Sequence, residues 1–522
     1  MDTSLSPSAI IFAGCFTGSL WLAARNYARN RRVVNPNGLP LPPGPKGYPI
    51  IGNLFDLPIH KPWLAYSEMQ KKHGDLVYLK VFGQGFLILG SLERTNDLFE
   101  KRSSNYSDRI HSPLILDLME WGYNHALLPY GTWWRRHRRT FHDYFHPNIV
   151  GIYKPVQLNT ARKLLKNLLE APQNFDRWIP YAAGSNIMEI TYGIKPSLED
   201  PYAHRAEEAL VGIADMGTPG RYLVEMFPIM KYIPAWFPGA SWRRKAEYYR
   251  DINRDVCYLP WNLVKDQTKS GSAPPSVAAT LIEKLPEADA PDRQDEERIA
   301  MHTCAVSFIG GADTSISAIR TFFMAMCLFP EVQRKAQAEL DSVLDGRLPE
   351  FDDRPSLPYI NAIVKENMRW QLVLPLALYH MATEDDEYDG YYVPKGTLIA
   401  GNAWSILHDP KIYRDPEDFN PERYLKPDGQ LNREVRDPTS AFGFGRRICP
   451  GRFFADNFLF IIIAHTLAVF DVKPGLDEFG NEIKFKPDVT GGLVSQPLTF
   501  PCRIIPRSQT AIKLIQNADI TG

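Results

Sequence analysis

The chain has little cysteine and no surplus of either charge. Its six cysteines, Cys15, Cys257, Cys304, Cys327, Cys449 and Cys502, are scattered and contain no C-x-x-C pair. That argues against a disulfide framework and a zinc site, and suits reduced, intracellular thiols. Lysine and arginine number 59 against 60 acidic residues, a formal charge of -1. No global field therefore draws the protein to nucleic acid or to an acidic membrane surface, and no nucleic-acid partner is expected. Internal repeats are absent. What the chain does have is an ordinary globular composition, 44% hydrophobic and 23% charged over 522 residues, enough to bury a large core.

The strongest early apolar run, Ala9 to Ala24, is followed by Arg25, Arg29, Arg31 and Arg32. A helix needs roughly 17 to 25 apolar residues to cross a bilayer, and basic flanks tend to stay in the cytoplasm. Asp2 stands where a cleaved signal peptide would carry positive charge, so residues 1–32 are read as a single N-terminal membrane anchor with a cytosolic body. Residues 33–47 include Leu41-Pro42-Pro43-Gly44-Pro45, a stiff extended segment read as a hinge. Residues 48–522 are expected to be one domain, mostly helical. Leu76 to Val81 and Phe86 to Leu89 read as a hairpin around Gly83-Gln84-Gly85. A long helix is expected from about Glu296 to Phe329, ended by Pro330, with a second from Glu331 to Leu344. Ser270 to Ser276 and Glu287 to Glu297 read as surface loops around a short helix.

Chemistry concentrates in four stretches. The glycine-rich Phe442-Gly443-Phe444-Gly445-Arg446-Arg447-Ile448-Cys449-Pro450-Gly451 leads into an apolar run, Phe453 to Phe470, that reads as a helix. A helix N-terminus stabilises a thiolate and leaves its sulfur free for a metal, though an isolated cysteine in such a loop is more often merely buried. Glu366 and Arg369 stand at i, i+3 on one helix and can pair, a weak signal by itself. Ser307, Gly310, Gly311 and Thr314 recur at helical intervals and make a small, partly polar stripe that implies close packing or a ligand. Trp133 to Arg139 is a basic cluster with aromatics, by itself a solvated helix face.

Together the motifs change the weighting. F-x-x-G-x-R-x-C-x-G, at Phe442, Gly445, Arg447, Cys449 and Gly451, resembles the heme-binding loop of the cytochrome P450 family. The resemblance extends from Leu41 to about Arg507. It implies a mostly helical triangular prism with small β-sheets and heme b between the Gly311 helix and the Cys449 loop. Cys449 would be the axial iron ligand, whose electron donation favours O–O cleavage. Phe419 to Tyr424 resembles the segment whose arginine joins the E-x-x-R pair, making Glu366, Arg369 and Arg423 a structural triad that holds the cysteine loop. Asp313 and Thr314 match an acid and an alcohol that deliver protons during oxygen activation. Trp134, Arg138 and His380 match contacts to the heme propionates, and Arg447 is suited to pair with one.

The resemblance further implies a monooxygenase that hydroxylates or epoxidises a lipophilic molecule. Electrons would come from NADPH through a separate flavoprotein reductase, since no dinucleotide fingerprint follows Cys449. The remaining cations of Arg135 to Arg139 suit an acidic donor. Ser112 to Asn124, Leu372 to Tyr379 and Thr490 to Gln496 resemble substrate-contact segments, and the aromatic stretch Phe227 to Gly239 suits dipping into a bilayer. The likeness is to fungal members that tailor natural products such as terpenoids, anchored in the endoplasmic reticulum membrane and facing the cytosol. Two alternatives remain: a heme-thiolate isomerase or lyase acting on a peroxide, which needs no proton relay, and a heme-binding sensor without turnover.

Overall fold

The computed structural model describes residues 34–197, 201–216 and 222–520. The expected anchor, residues 1–32, lies outside them. The helices that bear on the site are α1 (Thr132–Phe145), α2 (Lys154–Glu170), α3 (Phe175–Tyr192), α4 (Pro201–Met216), α5 (Ser241–Lys269), α6 (Arg293–Leu328), α7 (Pro330–Leu344), α8 (Pro358–Trp370) and α9 (Arg452–Val469). The strands are β1 (Leu76–Val81), β2 (Gln84–Leu89), β3 (His380–Met381), β4 (Asp386–Tyr388), β5 (Tyr391–Val393), β6 (Leu398–Gly401), β7 (Phe470–Pro474) and β8 (Cys502–Pro506). They make a four-stranded sheet in the order β1-β2-β6-β3 and two antiparallel pairs, β4-β5 and β7-β8. The mainly helical class with small sheets is the one expected.

Local chemistry explains the departures. The β1-β2 turn is Phe82-Gly83, both at positive φ (46° and 93°), and pairing begins at Val81 with Gln84. Two residues of that sign match the right-handed twist of a hairpin, so Gln84 and Gly85 belong to the strand and not to the turn. Helix α6 begins at Arg293, inside the stretch expected to be loop, because Asp295 and Glu296 fall in its first turn, where the helix dipole favours them. Its other end falls at Leu328, and Pro330 opens α7 at a bend of 104°. Segment 35–45 is docked on the sheets: Tyr78 N donates to Pro43 O at 2.7 Å, Tyr392 N to Pro40 O at 2.8 Å, and a Cβ at Gly44 would lie 2.0 Å from Tyr78 O.

Helix α6 divides the core. Its N-terminal half, including Ile299, Cys304 and Phe308, is buried, with Cys304 and Phe308 packed with α3 and α5. Its C-terminal half, Ile319 to Cys327, packs with α2, α8 and α9. Between them, residues 310, 311, 313–316 and 318 fall outside the buried set. That interruption faces a cavity. Across it lies α9, apolar all round as a helix in a protein interior should be. It is long and apolar enough to cross a membrane, but 67% of it is buried in the protein.

Candidate active site

The cavity, about 340 Å³, lies between α6 and the loop that ends at α9. Its wall includes Cys449, Phe442, Gly451, Arg447, Trp134, Arg138 and His380 on one side and Ser307, Gly310, Gly311, Asp313 and Thr314 on the other. The structure thus brings together the sequence-predicted residues except Glu366, Arg369 and Arg423.

The cysteine loop is built around close backbone approaches. Gly445 has φ 57°, and a Cβ there would lie 2.2 Å from Phe99 O, so a side chain is excluded both by conformation and by space. Cys449 N donates to Phe442 O at 2.8 Å, closing the loop. Arg138 Nη2 donates to Ile448 O at 2.6 Å and Arg452 Nη1 to Cys449 O at 3.0 Å. Burial pushes the Cys449 thiol up, while the N–H groups of Gly451 and Arg452 and the charges of Arg138 and Arg452 pull it down. A sulfur so placed is a metal ligand in waiting, since coordination deprotonates a thiol outright.

The edge of the cavity is rich in cations. Arg447 donates to Ser107 O (2.8 Å), His125 O (3.3 Å) and Leu128 O (2.8 Å), and its guanidinium lies 4.4 Å from the Trp134 ring centroid. Burial above all, with Arg138, brings Arg447 down to about 10 against the pull of Asp108. Arg109 was not singled out in the sequence, yet it is buried and lines the same cavity, donating to Ala126 O, Leu378 O and Tyr379 O. Burial, then Arg447, holds it well below its ordinary value. His125 is another unforeseen member: it lines the cavity, and its buried Nδ1 has no hydrogen-bond partner among the described residues. His380 shares a hydrogen with Tyr106 O through Nδ1 at 2.6 Å, and a carbonyl only accepts. Its neutral form therefore carries hydrogen on Nδ1 and presents Nε2 as an acceptor. Burial and the neighbouring Arg109 and Arg447 hold it neutral, and donation to a carboxylate would require it to take up a proton.

These residues fit a planar iron macrocycle carrying two carboxylates. Cys449 would hold the metal, and its loop leads into α9. Opposite it, a Cβ at Gly310 would meet no atom within 4 Å. The guanidiniums of the buried Arg109 and the half-buried Arg138 and Arg447 share too little negative charge for so enclosed a place, which two carboxylates would supply.

On the α6 side the acid is perturbed. Burial raises Asp313 to about 6, opposed by a hydrogen bond from Gln496 and reinforced by Glu207. Thr314 Oγ1 donates to Gly310 O at 2.7 Å, which leaves its lone pairs as acceptors. The two glycines divide the explanations open from sequence: Gly310 faces space, whereas a Cβ at Gly311 would lie 2.9 Å from Ile187 on α3. The three expected substrate-contact segments reach the wall through Trp121 and Asn124, through Val373, Leu374 and Leu378, and through Leu493 and Val494.

Two members of the triad, Glu366 and Arg369, are on α8, and Arg423 comes from residues 421–424. Arg369 Nε donates to Glu366 Oε2 at 2.7 Å and Nη2 to Oε1 at 2.9 Å, and Arg423 Nε donates to Oε1 at 3.1 Å. The triad's arginines also donate to the carbonyls of Leu407, Arg414, Asp415 and Asp418, and Glu366 accepts from the Asn420 N–H. It therefore fastens α8 to segment 407–424, and any hold on the cysteine loop passes through that segment. Of the basic cluster, Arg136 is paired with Asp295 and Glu296, leaving Arg135 and Arg139 as its exposed members.

Fold and site together define a heme-thiolate oxidoreductase that incorporates oxygen. The chain belongs to the cytochrome P450 family, whose model matches residues 42–500. It is 48% identical to cytochrome P450 monooxygenase COX2 of Coprinopsis cinerea over 92% of each chain. It is 40% identical to cytochrome P450 monooxygenase 98 of Postia placenta over 92% of this chain and 94% of the relative. It is 36% identical to tryptamine 4-monooxygenase of Psilocybe cyanescens over 97% of this chain and 98% of the relative.

Proposed function

We propose that this monooxygenase hydroxylates or epoxidises a lipophilic natural product, terpenoid in class, with electrons from NADPH passed by a separate flavoprotein reductase. The observation that carries the substrate class is the wall opposite the cysteine loop, where Leu210, Ile213, Val306, Ile309, Leu493 and Val494 surround a single carboxylate, Asp313, that is already bonded to Gln496. Such a wall desolvates apolar surface and offers little to a charged ligand. One relative is named for tryptamine, so the reading is supported by the apolar wall rather than by kinship.

Bound heme, ligated by Cys449, would supply the redox chemistry. Arg109, Arg138, Arg447 and Trp134 would hold its edge, with His380 protonated against a carboxylate. The apolar wall orients the substrate and excludes water. Asp313 would take up and release a proton on its carboxyl oxygen, and Thr314 would hand a proton on only when its hydroxyl turns from Gly310 O, donates its own hydrogen toward the cavity and accepts another in its place. Residues 1–32 anchor the protein in the endoplasmic reticulum membrane, residues 33–47 join anchor to body, and residues 48–522 form the catalytic domain in the cytosol. Phe227, Ile229, Tyr232 and Trp236, 53%, 77%, 75% and 78% exposed, suit contact with the same bilayer.

The test is the absorption spectrum of the reduced protein under carbon monoxide, followed by NADPH consumption with a reductase and candidate lipophiles. A thiolate-type band that Cys449→Ala abolishes, with consumption quickened by terpenoids, is expected. Consumption indifferent to every lipophile would overturn the substrate class. Turnover of a peroxide without reductase would favour the isomerase reading.

A further inference from the structure

A short loop touches the cavity at its tip and grips α6 at its base. Thr490 N donates to Gln496 O at 2.8 Å and Gln496 N to Thr490 Oγ1 at 3.0 Å, which closes the loop on itself. Leu493 and Val494, at the tip, line the cavity. At the base Ser317 Oγ donates to Ser495 O at 2.6 Å, and Gln496 Nε2 donates to Asp313 Oδ1 at 2.5 Å. Asp313 and Ser317 are four residues apart and so present one face of α6 to the loop.

The partner is chemically suited to an acid that changes state. A primary amide does not titrate, donates through nitrogen to a carboxylate, and by turning over accepts through oxygen from a carboxylic acid. The charged group acting on Asp313 from α4 is Glu207, whose side chain is 78% exposed and therefore screened. From α3 the neighbouring contact is the apolar Ile187. Gln496 is thus the polar contact through which the loop reaches the acid.

We infer that Gln496 is a positioning residue for Asp313: it aims the carboxyl and sets its readiness to take up and release a proton, and it ties that readiness to the loop whose tip meets the substrate. Its part in turnover rests on the reading of Asp313 as a proton carrier. A substrate that displaces Leu493 or Val494 shifts the base of the same closed loop, and with it the bond to Asp313.

The experiment uses the full chain and two readouts. Difference infrared spectra follow the carboxyl stretch that Asp313→Asn removes, as a function of pH. In parallel, the pH profile of the peroxide released per NADPH is recorded with reductase. Gln496→Leu removes a bond that favours the carboxylate, so the infrared midpoint should rise by roughly one unit or more. Gln496→Glu should raise it further, because two carboxyls then compete for ionisation. The peroxide profile should move in the same order. Ser317→Ala loosens the other clasp and should leave the infrared midpoint in place, which separates positioning from simple anchoring of the loop. An unmoved midpoint in Gln496→Leu overturns the inference. If midpoints move as expected while Asp313→Asn keeps wild-type peroxide release, Gln496 stands as the partner of Asp313 and the relay reading is what fails.

Discussion

Two acids withdrawn from water, Glu366 on α8 and the half-buried Asp313 on α6, are treated in opposite ways. Glu366 is fully buried and receives two guanidiniums and the Asn420 backbone N–H, at 2.8 Å. Asp313 lines the cavity and receives one amide. A carboxylate with a full complement of donors becomes a structural rivet. An acid with a single neutral donor in a desolvated place sits near the point of changing state. The comparison teaches where to look for chemistry: not at the most heavily bonded charge, but at the one left short.

The largest expected effect concerns neither acid, and it fixes the frame. Cys449→Ala should abolish oxygen incorporation and the thiolate-type carbon monoxide band while the protein stays folded, checked by circular dichroism. Next comes the rivet. Glu366→Ala strands two buried guanidiniums and should cost about 3 to 5 kcal/mol of stability, read from urea unfolding, with heme-loaded yield falling in step. An effect under about 1 kcal/mol, the size of an exposed pair, would break the comparison.

Asp313 should behave in the reverse sense, with activity lost and stability gained. Asp313→Asn should slow product formation by on the order of 10²-fold. Its stability effect has a definite sign. The carboxyl rises from 3.8 unfolded to about 6 folded, so between those values the folded state binds the extra proton. Stability from this group is therefore greatest below about pH 4, declines as pH rises toward 6, and the deficit is complete above that. At pH 8 Asp313→Asn should be more stable than wild type by about 3 kcal/mol, and at pH 4 by less than about 1 kcal/mol. Equal unfolding midpoints at both pH values would mean that the acid is as well satisfied as Glu366.

How much of this was legible follows the same division. The cysteine loop reads directly from sequence because its glycines, arginine and cysteine are neighbours whose spacing is itself the geometry. The triad needed two segments, and its third member came from resemblance. Arg109 and His125 stayed hidden, because an arginine and a histidine far from any motif carry no local signal, and Gln496 fell inside a segment read as contacting substrate with nothing local to show its bond to Asp313. Gln496 and Asp313 are 183 residues apart, joined only when the last loop folds back on α6. The start of α6 was misjudged for a related reason. An acidic run looks like solvent-exposed loop until it is recognised as the favourable end of a helix dipole, with Arg136 of α1 to meet it.

The smallest effect tests the comparison within α6 itself, where adjacent glycines face different neighbours. Gly311→Ala pushes a methyl against Ile187, which is itself buried, and should cost about 1 kcal/mol, since a packed side chain must shift. Gly310→Ala meets nothing and replaces the poorer helix former, so it should stabilise the protein by up to about 1 kcal/mol. The added methyl stands in the cavity, however, and should weaken the spectral response to bulky lipophiles while sparing small ones. Opposite signs in thermal unfolding, with the binding defect confined to Gly310→Ala, would show that one turn of α6 serves packing on one side and the site on the other. If both variants destabilise alike, the opening beside Gly310 is closed by packing, and the cavity wall must be redrawn there.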